Sequence, residues 1–369
     1  MILLSSLIET FEAQFLTQYR DLILPSHLKA LYAMKECRTS LSHLMEVQCT
    51  ECDHHLIMPH SCGHRSCPHC QHHESQQWLE RQLKKQVPAE YFLLTFTLPK
   101  EFRELAWRHQ RVLYSFMIRC AWETVKLFTQ NDKKLKGTAG AIAVLHTHSR
   151  RLDYHPHVHL VVPAAAIDKK KKLWRTKNDG YLFNHKALAK VFRAKMLDAI
   201  TDEELALPEN YPKQWVVDCK SVGTGEKALI YLGRYLYRGV IREKDIVACE
   251  DGQVTFRYQD SKTKRMASRT VSGAEFLWLI LQHVLPKRFR RTRNFGFLHP
   301  NSKCLIGLIQ YLLGFNPNRA LAWIKERPRL LCPLCGAKMM VVATRIPPFL
   351  SPGQPTVPIP GVAAGALVM

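Results

Sequence analysis

The period of apolar and polar positions changes several times along the chain, and each change predicts an element. The opening "MILLSSLIETFEAQF" reads as an amphipathic helix, with Glu9 and Glu12 interrupting its apolar run, and residues 1–34 as a whole suit a helical lead-in. A polar helix follows over "HESQQWLERQLKKQ". Beyond Pro88 the texture turns extended: "YFLLTFTLP" (91–99) and "AIAVLHTHS" (141–149) predict strands flanking a helical stretch over roughly 101–129. "YHPHVHLVVP" (154–163) predicts another strand, and "DKKKKLWRTKNDGY" (168–181) a charged hairpin excursion. Helices are predicted over 184–200 and 225–238, the second started by Gly223 and Thr224 and ended by Gly239. "RYQDSKTKRMASRTVS" (257–272) reads as a hairpin, and the Pro/Gly-rich segment from Ile346 as disordered. Strands interleaved with helices, and no internal repeat, make this an α+β chain.

Period two puts His155, His157 and His159 on one side of the 154–163 strand, with Pro156, Val158 and Leu160 on the other. Three chemistries fit: a divalent-metal site on the His157-Val158-His159 pair, a histidine-triad nucleotide hydrolase, or a polar face with no chemistry. "VLHTHS" supplies a neighbour, because His146 and His148 share one parity and a tight hairpin through "RRLDY" brings that face beside His157 and His159. Three nitrogen donors would leave open positions for phosphate oxygens; the third is His146, His155 or a residue outside the hairpin. In "ALIYLGRYLYRG", Tyr231 and Tyr235 stand at i,i+4 on one helical face with Arg234 and Arg238 close by, while Tyr237 points elsewhere and suits packing.

Charge narrows the partner. Among 369 residues, 53 Lys and Arg face 31 Asp and Glu, a formal net charge of +22, which points to a polyanion and away from a small acidic metabolite. Nucleic acid is expected over membrane, since no stretch reaches ~18 apolar residues free of charge or repeated proline. "KRFRRTRNFGFLHP" (287–300) sets Phe289, Phe295 and Phe297 among Arg288, Arg290, Arg291 and Arg293, a pattern suited to backbone contact and base stacking. No basic region precedes the first apolar run, so a cytoplasmic location, nucleoid-associated, is expected.

In such a compartment twelve cysteines suit metal better than disulfides. "CTEC" and the CxxC of "HSCGHRSCPHC" predict a structural zinc on Cys49, Cys52, Cys67 and Cys70. Cys37, Cys62 and His64 are left over for a second zinc or for packing nearby. "CPLC" (Cys332, Cys335) is half a site, with Cys304 or His299 as candidate partners; Cys120, Cys219 and Cys249 suit the core.

Taken in order, "SCGHRSCPHCQ", "FTLP", "AIAVLHTH", "HPHVHLVVP", "KVFR", the tyrosine helix and "FGFL" resemble the HUH-tyrosine rolling-circle transposases of the ninety-one insertion-sequence type over most of the chain. Ser66 and His148 stand where family members usually carry other residues. The resemblance implies an antiparallel-sheet HUH nuclease domain with flanking helices, behind a small zinc-binding helical module. It implies that Tyr231 and Tyr235 are nucleophiles, that His157 and His159 hold Mg²⁺ or Mn²⁺ with His146 as third ligand, and that zinc is structural. The expected partner is single-stranded DNA at transposon ends and target, cut through a 5′-phosphotyrosine. On this reading the chain divides into 1–87 (zinc module), 88–330 (nuclease) and 331–369 (CxxC knuckle and tail). A replication initiator or relaxase would share the chemistry; a non-enzymatic zinc-finger protein would leave the histidines idle.

Overall fold

The computed structural model describes residues 2–348, apart from 169, 238, 261–262 and 324–328. In chain order, α1 (Leu4–Gln18) and α2 (Pro25–Glu36) lead into a hairpin of β1 (Leu44–Cys49) and β2 (His55–Pro59), then α3 (His72–Leu83) and β3 (Tyr91–Thr97). The predicted helix over 101–129 is two, α4 (Arg103–Arg108) and α5 (Gln110–Asn131), because His109 leaves helical geometry at φ −120°, ψ 44°. Next come the long hairpin of β4 (Gly140–His148) and β5 (Tyr154–Pro163) and the short one of β6 (Ala165–Asp168) and β7 (Leu173–Thr176) at the charged excursion. α6 (His185–Asp202), β8 (Val217–Ser221) and α7 (Glu226–Tyr237) follow. The remainder is β9 (Ile246–Glu250), β10 (Gln253–Gln259), β11 (Met266–Ser272), α8 (Gly273–Leu281), β12 (Thr292–Gly296), α9 (Lys303–Leu312) and β13 (Met339–Ile346). Beyond Ile346, which ends β13, most of the tail expected to be disordered lies outside the described residues.

Among the described residues, five strands pair in the order β12-β4-β5-β3-β8, every neighbour antiparallel. Alternation sorts β4 and β5 between two cores. Ala141, Ala143, Leu145, Val158, Leu160 and Val162 pack against α5 and α6, whereas Ile142, Val144 and Val161 pack under α3, α7 and α9. Burial on both faces explains why these strands read as nearly continuous apolar runs rather than a clean alternation. A third core joins α1 and α2 to α8 and the three-stranded sheet β11-β10-β9, so the helical lead-in packs on the last third of the chain. The remaining three-stranded sheet, β13-β1-β2, joins both ends of the described chain. No helix among the described residues is long and apolar enough to cross a membrane.

The edge strand β12 ends at a position that only glycine fits. Gly296 has φ +60°, and a Cβ there would lie 1.7 Å from the Ala139 carbonyl oxygen, which accepts the Phe297 N–H. Gly296→Ala is therefore expected to destabilise the fold by about 3 kcal/mol through left-handed strain and overlap with backbone. Chemical denaturation would read this as a lowered midpoint at unchanged slope.

Candidate active site, cysteine clusters and basic groove

Register brings three histidines together. His146 pairs with His157 and Val144 with His159 across β4–β5, while Thr97 and Thr95 of β3 stand opposite His157 and His159. Directly opposed residues share a face of a sheet, so all three imidazoles emerge on the face that α7 covers. Their ring centroids lie 4.4 to 5.2 Å apart, and one nitrogen from each falls within 4.8 Å of the others. His157 Nδ1 donates to the His155 carbonyl at 2.7 Å, and His159 Nδ1 pairs with Thr95 Oγ1 at 2.9 Å. A ring fixed through Nδ1 offers Nε2 as its ligand atom, the usual support for a metal-bound histidine. Burial holds all three imidazoles neutral: His159 titrates at about 4, and His146 and His157 lie well below the ordinary histidine value, each lowered further by its neighbours except His159, which Asp218 opposes. Neutral imidazole is the form a metal binds.

His155 and His148 line the same groove as these three but stand outside the group. His155 takes the Arg103 guanidinium on Nδ1 at 2.7 Å and is outside the group of three. His148 corrects the parity argument: a register shift after His146 sets it opposite Tyr154, and its ring lies 5.1 Å from that of His283.

α7 lies across this face. The Tyr231 side chain is half exposed, with its ring centroid 6.4 Å from that of His146, and both line a groove of about 950 Å³ whose far wall includes Arg257, Tyr258 and Met266. Tyr235 and Arg234 sit on the same helix and Tyr237 closes it, but their side chains are outside what the structure describes, and Arg238 lies outside the described residues. Leu229, Leu232 and Leu236 bury the opposite stripe of α7. Ser75 of α3 donates to the Gly233 carbonyl at 3.0 Å, and Arg291 donates to the Leu236 carbonyl at 3.1 Å. Arg291 therefore braces the end of the tyrosine helix instead of facing a ligand.

The cysteines do not gather as their spacing suggests. Cys37, Cys62, Cys67 and Cys70 converge, with Cys70 Sγ 3.6 Å from both Cys37 Sγ and Cys62 Sγ. Tetrahedral zinc with ~2.3 Å bonds sets its sulfurs ~3.8 Å apart, so these four fit a closed structural site. Hydrogen bonds from the other three thiols hold Cys70 far below the usual thiol range. Cys49 and Cys52 are not with Cys67 and Cys70, because the extended β1 carries Cys49 about 17 Å beyond Leu44. They meet Cys332 and Cys335, so Cys304 and His299 are not the partners of "CPLC". His64 accepts the Ser66 N–H on Nδ1 and belongs to neither group. Of the three cysteines expected in the core, Cys120 is buried and Cys219 and Cys249 are half-buried.

The Cys67 knuckle touches the chain that leaves α7. A Cβ on Gly239, just past α7, would lie 2.9 Å from the Ser66 carbonyl and 3.0 Å from Pro68 N, so the chain leaving the tyrosine helix runs directly against the knuckle. Arg65 donates to the carbonyls of Leu285, Pro286 and Phe289 at 2.8 to 2.9 Å and fixes the segment leading into β12.

That segment lines a second groove, of about 1270 Å³, around the β12 edge of the sheet. Arg288, Arg290 and Arg293 face Arg81 and Lys85 from α3 and the turn after it, and Arg111 from α5; among the described residues no Asp or Glu lines it. The three phenylalanines expected to stack on bases are placed among protein side chains. Phe289 and Phe297 are buried, and Phe295 stacks on Trp122 at 5.0 Å and 9°.

Comparison with known proteins agrees with this architecture. A family profile described as "Putative transposase" matches residues 140–304, and one described as "Transposase zinc-binding domain" matches residues 7–98. "Putative transposase y4qJ" of Sinorhizobium fredii is 31% identical over 73% of this chain and 74% of its own length. "Transposase for insertion sequence element IS801" of Pseudomonas savastanoi pv. phaseolicola is 27% identical over 84% of this chain and 82% of its own. Among solved structures, the metal-free conjugative relaxase TrwC in complex with OriT DNA aligns at 15% identity over 61% of this chain and 72% of that one. Its TM-score against this chain is 0.27.

Proposed function

Since the chain belongs to the insertion-sequence transposases of the ninety-one type, we propose that it cleaves and rejoins single-stranded DNA with a tyrosine of α7 as nucleophile. The observation that carries this reading is one groove shared by three converging imidazoles and the half-exposed Tyr231. His146, His157 and His159 would hold the divalent ion, and three nitrogen donors suit Mn²⁺ better than the oxygen-seeking Mg²⁺. Bound there, the ion would polarise the scissile phosphate. Tyr231 or Tyr235 attacks phosphorus through Oη, the bond to the 3′ oxygen breaks, and that oxygen takes up a proton. The products are a 5′-phosphotyrosine and a free 3′-OH, which keeps the strand ready for rejoining. A phenol titrating near ~10 must lie next to the ion to gain phenolate character, which matches Tyr231 beside His146. Incubating the protein with single-stranded terminal DNA and Mn²⁺ should give a covalent adduct that survives denaturation and requires the ion.

The basic groove is the better site for holding DNA. Arg288 and Arg290 are exposed in it, so the pair Arg288→Gln/Arg290→Gln is expected to weaken binding across sequences and to flatten the salt dependence of log K by about two phosphate contacts. Titrations at several salt concentrations measure this directly.

A further inference from the structure

The two ends of the described chain meet at four cysteines that neither family profile covers together, since the matches stop at residues 98 and 304. Cys49 and Cys52 come from the turn between β1 and β2, Cys332 and Cys335 from the turn before β13. Cys49 Sγ lies 3.4 Å from Cys335 Sγ, and Cys52 Sγ lies 3.7 Å from both Cys332 and Cys335. We propose that these four residues hold a second structural zinc ion, closing a zinc ribbon whose halves are 280 residues apart in the chain.

Both turns are shaped as metal knuckles. The Glu51 N–H donates to Cys49 Sγ at 3.4 Å. In the other turn Gly336 sits at φ +73° and donates to the Cys332 carbonyl at 2.9 Å, while the Cys332 N–H donates to the Ala337 carbonyl at 2.7 Å. Cys52 approaches two sulfurs equally, which is the geometry of a four-way site and not of exclusive disulfide pairs. The separations match the ~3.8 Å edge of a thiolate tetrahedron. On binding, the four thiols lose their protons and no coordination position stays open, so the role is structural.

The surroundings call for such a tie. β13 runs along β1 from Leu44↔Ile346 to Cys49↔Met339, yet Met340, Val341 and Val342 are exposed, and so are Leu331 and Leu334 beside the knuckle. On β1 only Leu44, Val47 and Cys49 are buried. A strand with so little core beneath it is poorly held by burial, and small metal-bound sheets replace the missing core with the ion.

Metal content of the full-length chain tests this. Native mass spectrometry is expected to find two zinc ions per chain, falling to one in Cys332→Ser/Cys335→Ser, with the 331–346 segment newly open to protease. One zinc in the parent chain, two in the double variant, or a disulfide in place of zinc would each overturn the proposal. Should the serine variant fail to fold, Cys335→His decides: it is expected to retain two metals, and its cobalt form to shift one site from an all-thiolate spectrum to a mixed thiolate–imidazole one. An unchanged spectrum would show that Cys335 is not a ligand.

Discussion

Alanine at His157 or His159 is expected to slow single-strand cleavage by about 1,000-fold or more while DNA affinity stays within a few-fold. Loss of a metal ligand removes several kcal/mol of charge stabilisation from the transition state, and each 1.36 kcal/mol is a factor of ten. Affinity is supplied elsewhere, by phosphate contacts from lysines and arginines such as those of the β12 groove. The fold should tolerate the change because Val158, Leu160 and Val162 of β5 point into the opposite core. His146→Ala should be as severe as the other two, since its nitrogen is within 4.8 Å of theirs, whereas His155→Ala should be milder. Thr95→Val, which takes the hydrogen-bond partner from His159 Nδ1, should weaken Mn²⁺ affinity by 10- to 100-fold, the usual cost of losing support behind a ligand. Cleavage rates against Mn²⁺ concentration, with binding measured in parallel, separate these outcomes; full activity in His157→Ala/His159→Ala would exclude the metal reading.

Much of this site was legible because it rests on short-range periodicity. Period two put His157 and His159 on one face, and the helical pattern put Tyr231 and Tyr235 on one helix. What failed depended on events that periodicity does not encode. The register shift after His146 turned His148 away, and sequence carries no sign of it. Knuckle spacing identified the ligating turns but not their pairing, since Cys332 and Cys335 reach Cys49 and Cys52 only through the return of β13 to β1. Charge identified the 287–300 segment but not direction: Arg288, Arg290 and Arg293 face the groove, while Arg291 turns inward to Leu236. The same segment hid the edge strand β12, whose residues are half-buried on both sides and so lack alternation. Thr95 was passed over as one polar position in "YFLLTFTLP", although its opposition to His159 gives that ring its hydrogen-bond partner.

Removing both hydroxyls from the tyrosine helix should abolish the covalent product. Tyr231→Phe/Tyr235→Phe keeps the aromatic area, so folding and single-strand binding should persist while the adduct falls below detection. Either single replacement should leave some cleavage but impair the complete reaction, because residues four apart stand ~6 Å from one another and can address one phosphate alternately. Tyr237→Phe should be nearly neutral. The most direct measurement is to trap the adduct on single-stranded terminal DNA with Mn²⁺, digest the protein, and sequence the peptide that carries the nucleotide. DNA on Tyr231 or Tyr235 is the predicted result; DNA on Tyr237, on a residue outside α7, or on no residue at all would contradict the assignment.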